Sequence, residues 1–215
     1  LAYPFSFPIT FFWLIIVHSA FYNKKAMNGK LLIFSAPSGS GKTTIVKRLL
    51  GQIPELEFSI SACSRPKREG EVNGRDYHFL SVDEFKKRIE NDEFVEWEEV
   101  YPGSFYGTLK SEVERIWQKG HHVVFDVDVK GGLNIKRLYG QRALAIFVMP
   151  PSIEELQKRL ELRGTETPET LAKRVGKARE EMGYTKDYDL VIVNDNLDKA
   201  VAETMETVQR FIQQP

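Results

Sequence analysis

The stretch "LLIFSAPSGSGKTT", residues 31–44, decides how the rest of the chain is interpreted. It begins with a short apolar run, "LLIFS", which is followed by small residues and then by a lysine and two threonines. The next residues, "IVKRLLG" (45–51), have apolar positions at helical spacing. This order predicts a loop that connects a buried strand to a helix.

The loop "APSGSGKT" fits the phosphate-binding pattern G-x-x-x-x-G-K-[S/T], although alanine replaces the first glycine. Its two glycines let backbone N–H groups turn toward phosphate oxygens, and the N-terminus of the following helix adds to that attraction. Lys42 can reach the β- and γ-phosphates, and the Thr43 hydroxyl can ligate Mg²⁺. A flexible linker would not explain a lysine and a threonine at these places. We therefore expect a nucleoside triphosphate site formed by Ala36, Pro37, Ser38, Gly39, Ser40, Gly41, Lys42, Thr43 and Thr44.

Composition limits the partners of the protein. The 215 residues, 42% of them hydrophobic, are ample for one cored domain. Lys and Arg equal Asp and Glu at 30 each, so no overall positive field attracts a nucleic acid, and we expect none as a partner. The single cysteine, Cys63, excludes an internal disulfide framework and favours a reducing compartment, so we expect a cytoplasmic protein.

Residues 1–26 differ from the rest of the chain. Their first part, "LAYPFSFPITFFWLIIVHSAFY", carries no Lys, Arg, Asp or Glu. A membrane span needs about 18 apolar residues, which the prolines and polar residues here interrupt, and a secretory signal needs a basic start. We interpret 1–26 as a non-native or dispensable leader, with the folded chain starting at Met27 and no membrane expected as a partner. A membrane-tethered protein is the alternative.

After Met27 the chain alternates apolar runs with amphipathic segments, which predicts a parallel sheet covered by helices, as in P-loop NTPases. The predicted strands are 31–35, 122–128, 143–149 and 190–193. Helix starts are predicted at the capping residues Ser81, Ser111, Ser152 and Thr167. Helix ends are predicted at Gly51, Gly120 and Gly183, each as a left-handed cap. A last helix is predicted from about Asp198 to Gln213. Residues 58–108 break the alternation and are predicted to form a small, partly β insert.

Two carboxylates follow the second predicted strand. Asp126 and Asp128 are separated by one residue, so they share a face of the sheet if the strand continues. We expect this pair to have a ligand or metal role, with Asp126 and Thr43 near Mg²⁺. A turn or capping role is the ordinary alternative.

The insert contains a basic loop, "SRPKREGEVNGRDYHF". Arg65 and Arg68 lie three residues apart, and Tyr77 follows closely. Guanidinium groups bind phosphate through paired hydrogen bonds, and a phenol adds one donor. The loop therefore indicates a second phosphate site, unless it is an ordinary solvated basic loop.

Five segments in order give the chain a family resemblance: "SAPSGSGKTT", "SACSRPKREGEVNGRDYHF", "FVEWEEVYPGSFYGT", "DVDVKG" and "RLELRGTETPETLAKR". They resemble the guanylate kinases, which transfer the γ-phosphate of ATP to GMP, and the resemblance runs from about Asn28 to the C-terminus. It implies a core (27–57, 109–150 and 185–215), a GMP-binding insert (about 58–108) and a helical lid over ATP (about 151–184).

The resemblance also implies roles for individual residues, with Mg²⁺ as the cofactor and ATP and GMP as substrates. Lys42, Arg159, Arg163 and Arg174 match catalytic cations. The positions that match contacts to GMP are Ser61, Arg65, Arg68, Tyr77, Glu96, Tyr106, Thr108 and Asp128. The choice of Tyr106 over Phe105 depends on aligning "YG" before a hydroxyl residue.

The chemistry of guanine agrees with two of these positions. Guanine offers N1–H and N2–H donors, which the carboxylates of Glu96 and Asp128 can accept, whereas adenine has an acceptor at N1. Two alternatives stay open: a kinase for another nucleoside monophosphate, and a non-catalytic guanylate-kinase-like module that binds a phosphorylated partner. The intact loop around Lys42 favours an enzyme.

Overall fold

The computed structural model describes residues 29–162, 164 and 167–214. Its strands are Leu31–Ser35 (β1), Leu56–Phe58 (β2), Ala62–Cys63 (β3), His78–Phe79 (β4), Phe94–Tyr101 (β5), Ser104–Leu109 (β6), His122–Asp126 (β7), Ala143–Met149 (β8) and Leu190–Val193 (β9). Its helices are Lys42–Leu50 (α1), Val82–Glu90 (α2), Lys110–Gln118 (α3), Val129–Tyr139 (α4), Ile153–Leu162 (α5), Pro168–Met182 (α6) and Leu197–Ile212 (α7), with 3-10 turns at Gly140–Arg142 and Thr185–Asp187.

The larger sheet is five-stranded, in the order β2-β7-β1-β8-β9, and every pairing in it is parallel. Parallel strands need crossover helices, which cover both faces of the sheet. The central strand β1 is buried along its whole length. The fold class predicted from the sequence, a parallel sheet flanked by helices, is confirmed.

The two faces of β1 pack into different parts of the core. Leu32 and Phe34 belong to a cluster completed by α1 and α7, whereas Leu31 and Ile33 pack with α3 and α4. Alternate side chains of a strand point to opposite faces, so this uninterrupted apolar run supplies both. Full burial of one such side chain stabilises the fold by about 1.5–3 kcal/mol.

A second sheet of four strands, in the order β4-β3-β6-β5, lies within the sequence region 62–109. It packs on α2, where the rings of Phe85 and Phe94 stack with centroids 4.4 Å apart. Phe105 is buried in the same cluster. The partly β character predicted for this region is confirmed.

The strand predicted over 122–128 is shorter than expected. The structure ends β7 at Asp126, and Asp128 instead caps α4, accepting a hydrogen bond from the Gly131 N–H at 2.9 Å. The prediction that the strand continues to Asp128, on which a shared sheet face depended, was therefore wrong. A capping carboxylate satisfies a free helix N–H, which a further strand residue would leave unpaired.

Helix caps also differ from the predictions in places. Ser81, Ser152 and Thr167 accept backbone hydrogen bonds at helix starts as expected. The prediction for Ser111 was wrong, because the N-cap residue of α3 is Leu109, two residues earlier, and Leu109 makes no side-chain cap.

The helices end at or next to all three predicted glycines, but the left-handed conformation was correct at only one of them. Gly120 is left-handed, with φ +77°, whereas Gly51 and Gly183 have right-handed helical torsions. Gly51 and Gly183 keep torsions that any residue can adopt, so these two helix ends do not require a glycine.

The leader, residues 1–26, and the predicted start at Met27 lie outside the described residues. Within the described ranges, no helix combines the length and the apolar character needed to cross a membrane.

Candidate active site

The phosphate-binding loop turns through two left-handed glycines, Gly39 (φ +98°) and Gly41 (φ +92°). The Ser40 side chain and backbone N–H both donate to the Pro37 carbonyl, at 2.7 and 3.1 Å. From beyond β9, Asn194 Nδ2 donates to the Ser40 carbonyl at 2.7 Å. A Cβ on Gly41 would lie 2.2 Å from that nitrogen, so the approach of Asn194 requires glycine.

The loop forms one wall of a cavity of about 910 Å³ at the carboxyl ends of the parallel strands. Ligands of open α/β sheets bind at this edge. All nine predicted loop residues, 36–44, line it. The opposite wall is formed by Tyr101 and by residues before and along α6: Thr167, Thr170, Lys173, Arg174, Lys177 and Glu181.

Lys42 and Asp126 form an ion pair in the floor of this larger cavity. The α1 helix begins at Lys42, and Asp126 ends β7 beside Phe34 of β1. The predicted loop lysine and strand-end carboxylate are thus brought together. Thr43 is exposed on the same cavity, next to Lys42.

The described arginines of the lid region, 151–184, have different surroundings. Arg174 donates to Ser38 Oγ at 2.6 Å across the larger cavity. Arg159 donates to Glu155 at 3.1 Å and to the Asn194 carbonyl at 3.0 Å, behind the loop. Arg163 lies outside the described residues. Arg174 is therefore at the cavity, whereas Arg159 is bound to the residue that holds the loop.

A smaller cavity of about 270 Å³ adjoins the first. Both are lined by the segment Asp126–Asp128, so the two cavities meet there. Ser35 Oγ donates to the Asp128 carbonyl at 3.2 Å and so holds this segment against β1. The other lining residues come from the second sheet and its loops: Ser61, Tyr77, Glu96, Glu98, Val100, Tyr106 and Gly107.

Glu96 is the most buried carboxylate in the smaller cavity. It accepts a hydrogen bond from Thr108 Oγ1 at 2.9 Å. Burial raises the pKa of Glu96 to about 7, with a further upward contribution from the charge of Asp128, although the Thr108 hydrogen bond acts to lower it. A ligand that supplies N–H donors would stabilise the ionised form of this buried carboxylate.

Arg65 is held at the edge of this cavity by a partner that the sequence analysis missed. Its guanidinium donates two hydrogen bonds to Glu71, at 2.7 and 2.6 Å, and lies 5.0 Å from the Tyr77 ring centroid. The Arg68 backbone N–H also donates to Glu71, at 2.7 Å, but the Arg68 side chain is exposed. Tyr77 and Tyr106 meet edge to face, with centroids 6.2 Å apart.

The further site residues that were missed include Asn194, Glu98 and Glu181. Glu98 could have been found, because it follows Glu96 by two residues in an insert predicted to be partly β, and residues two apart on a strand share a face. Asn194 and Glu181 carry no local signal, since each reaches the site from a distant element. Of the two aromatic residues considered at the end of the insert, Tyr106 lines the smaller cavity and Phe105 is buried.

The donor set around Lys42 suits a magnesium ion that arrives with a nucleotide. Thr43 and Asp126 offer a hydroxyl and a carboxylate oxygen, which are hard ligands, and Mg²⁺ commonly takes only one or two protein oxygens besides phosphates. Among the described residues, no group of three or more His, Cys, Asp or Glu side chains could hold a metal unaided. Thr43 and Asp126 therefore fit a magnesium site in which phosphate oxygens of the nucleotide supply further ligands.

A left-handed glycine loop at the carboxyl edge of a parallel sheet, opposite a helix with cationic side chains, defines a protein of the P-loop NTPase type. The adjoining cavity beneath a separate sheet gives such a protein a place for a second small substrate.

Comparison with known proteins specifies the family. The guanylate kinase family model matches residues 28–214, and the chain belongs to that family. It is 56% identical over 191 residues to a guanylate kinase from Bacteroides thetaiotaomicron, covering 89% of this chain and 94% of that protein. It is 55% identical to a guanylate kinase from Porphyromonas gingivalis, covering 85% and 98%. The crystal structure of guanylate kinase from Anaplasma phagocytophilum superposes with a TM-score of 0.68 at 28% identity, covering 86% and 87%.

The resemblance inferred from five sequence segments is thereby confirmed, and so is the prediction of an enzyme of this family. Neither alternative, a kinase for another nucleotide or a non-catalytic module, is favoured by these comparisons.

Proposed function

We propose that the chain transfers the γ-phosphate of ATP to GMP, giving ADP and GDP, and that it also accepts dGMP. The observation that carries this proposal is the junction of the two cavities at Asp126–Asp128. A donor phosphate above Lys42 and an acceptor phosphate in the smaller cavity would meet there. Phosphoryl transfer needs this alignment more than it needs a strong base.

The larger cavity binds ATP in this proposal. Backbone N–H groups of residues 36–44 surround the phosphates, and Lys42 moves from Asp126 to the β- and γ-phosphates. Thr43 and Asp126 hold Mg²⁺, which neutralises phosphate charge when bound. Arg174, already in contact with the loop at Ser38, supplies positive charge to the transferring group.

The smaller cavity binds GMP. Glu96 and Asp128 accept the N1–H and N2–H donors of guanine, and the hydroxyls of Thr108 and Ser61 lie beside the base. Placing adenine there would leave a desolvated carboxylate unpaired, which costs about 1–3 kcal/mol. The phosphate is held by Arg65, Arg68, Tyr77 and Tyr106. Because Arg65 is neutralised by Glu71, it has to exchange part of that pairing for the GMP phosphate.

The region 151–184 acts as a lid in this proposal. Its closure over the insert, 58–108, excludes water, so that ATP is not hydrolysed without an acceptor. Arg163 joins Arg174 over the transferring phosphate, and Arg159 holds the loop through the Asn194 carbonyl. Small-molecule substrates and the lone buried Cys63 support a cytoplasmic location.

The experiment that tests this proposal measures ADP formation from Mg-ATP with GMP, dGMP, AMP, CMP, UMP or no acceptor. The full chain and a version starting at Met27 are compared. We expect turnover with GMP far above AMP for both proteins. Equal turnover with AMP would contradict the roles of Glu96 and Asp128, and folded protein that binds GMP without turnover would indicate a binding module.

A further inference from the structure

Glu98 is a second glutamate on the cavity face of β5. It follows Glu96 by two residues, so both side chains lie on one face of the strand, about 7 Å apart along it. In the pairing of β5 with β6, Glu96 lies opposite Thr108 and Glu98 lies opposite Tyr106. Both glutamates line the smaller cavity. Glu98 therefore lies farther along the cavity, on the side of Tyr106.

Glu98 and Asp128 both line this cavity, Glu98 from β5 and Asp128 from the start of α4. A hydrogen bond shared with Asp128, together with burial, raises the pKa of Glu98. The charged groups that face it are Glu96 on its own strand and, from α4 and α6, Lys130 and Lys177. A ligand with hydroxyl donors can supply hydrogen bonds to the Glu98 carboxylate.

The proposed binding mode of GMP assigns the two ends of this cavity. The base lies at the buried end, beside Glu96 and Thr108, and the phosphate lies near Tyr77 and Tyr106. The ribose connects the two, so it passes the position of Glu98. The ribose offers neighbouring 2′- and 3′-hydroxyls, and the two oxygens of one carboxylate can accept from both. Carboxylates recognise ribose hydroxyls in this way in dinucleotide-binding proteins.

We infer that Glu98 accepts hydrogen bonds from the ribose hydroxyls of the acceptor nucleotide and thereby sets the preference for ribonucleotides over deoxyribonucleotides. The inference depends on the proposed binding of GMP in the smaller cavity. It adds the sugar contact to the contacts proposed for the base and the phosphate.

The test compares kcat/KM for GMP, 2′-deoxy-GMP and 3′-deoxy-GMP in the full chain and in Glu98→Ala. We expect the unaltered protein to favour GMP over at least one deoxy analogue by roughly tenfold, the effect of one hydrogen bond to a charged group. In Glu98→Ala that ratio should fall toward one. Glu98→Gln keeps one acceptor oxygen and should give an intermediate ratio. Glu90→Gln, at an exposed glutamate of α2, is the matched control.

The ratio of kcat/KM for GMP to that for a deoxy analogue distinguishes a sugar contact from a structural role of Glu98. If Glu98 only supported Asp128, its loss would lower kcat/KM for all three nucleotides equally. Unchanged ratios in Glu98→Ala and Glu98→Gln overturn the inference. The variant Glu96→Gln shows whether a negative result concerns only the ribose contact or the proposed binding of GMP as a whole. If Glu96→Gln leaves GMP turnover unaffected, the assignment of the smaller cavity to GMP is wrong. If Glu96→Gln impairs GMP turnover while the Glu98 variants keep the ratio, only the ribose contact is wrong.

Discussion

Lys42 and Asp126 form an ion pair across the carboxyl ends of two neighbouring strands, although 84 residues separate them in the sequence. Both side chains are largely buried, at 16% and 29% exposure. Each of them belongs to the proposed phosphate site. The pair therefore keeps the lysine at the junction of the two cavities before a nucleotide binds.

Lys42→Ala should lower kcat by about 100-fold or more, because the transferring phosphate loses a cation that stabilises its charge. Steady-state ADP formation with GMP measures this. Lys47→Ala, at an exposed lysine of the same helix, is the control and should keep normal turnover. Near-normal turnover of Lys42→Ala would contradict the proposed phosphate site.

The titration of Glu96 should appear in the pH profile for GMP. With a pKa of about 7, Glu96 is protonated in the empty cavity at lower pH and cannot accept both guanine donors. Below pH 7, kcat/KM for GMP should fall by about tenfold per pH unit, and above it the profile should level off. Glu96→Gln should lose this step, whereas ionisation of the GMP phosphate affects both proteins alike. A step that persists in Glu96→Gln would assign it to another group.

Glu96 should also lower the stability of the empty protein at high pH. Because its pKa is raised above the ordinary 4.5, its stabilising contribution is present below that pH and is lost as the pH rises through 7. Glu96→Gln should therefore have a higher free energy of unfolding than the unaltered protein at pH 8, measured by urea denaturation. The two proteins should converge at pH 4.5, and a constant difference would refute this account.

Gly41→Ala should destabilise the protein by more than about 2 kcal/mol, since it adds left-handed strain and a clash. The added Cβ would lie 2.2 Å from Asn194 Nδ2 and would displace the Asn194–Ser40 hydrogen bond. Gly120→Ala has a similar torsion, φ +77°, with no atom within 4 Å, so it should cost only about 1 kcal/mol. Denaturation midpoints and ATP binding measure both variants. Equal effects of the two substitutions would exclude the clash.

Glu57 should contribute stability that is lost in acid. Burial acts to raise the pKa of Glu57, but hydrogen bonds from Lys119, Arg115 and His121 outweigh it and lower the pKa to about 2. The contribution is therefore complete above pH 4.5 and disappears as the pH falls toward 2. Glu57→Gln should cost about 1–2 kcal/mol at pH 7, because the partners are partly exposed. Glu55→Gln, at an exposed neighbour, should leave the unfolding free energy unchanged at both pH values.

The sequence predicted the elements whose signals are local. The loop 36–44, the apolar strand β1 and the capping residues Ser81 and Ser152 each have a short pattern with one physical explanation. The short strand β2 was missed, since three residues carry too little periodicity to be recognised. Asp128 was assigned to a strand because alternation does not reveal a helix cap.

Most contacts between side chains of distant elements could not be predicted from the sequence. Arg65 was predicted to be a phosphate ligand, but its bond to Glu71 depends on the path of the loop between them. Arg159 was grouped with Arg174 by resemblance, yet the structure places Arg159 behind the loop and Arg174 at the larger cavity. Such differences arise from packing, which residue spacing does not encode.

The hydrogen bond from Asn194 to Ser40 joins residues 154 positions apart. During synthesis the loop leaves the ribosome early, but the residue that holds it is made near the end of the chain. A nascent chain that stops before β9 lacks this support and cannot complete the phosphate site. We therefore expect nucleotide binding only once the protein is nearly finished, so that ATP should stabilise the full-length product without rescuing truncated ones.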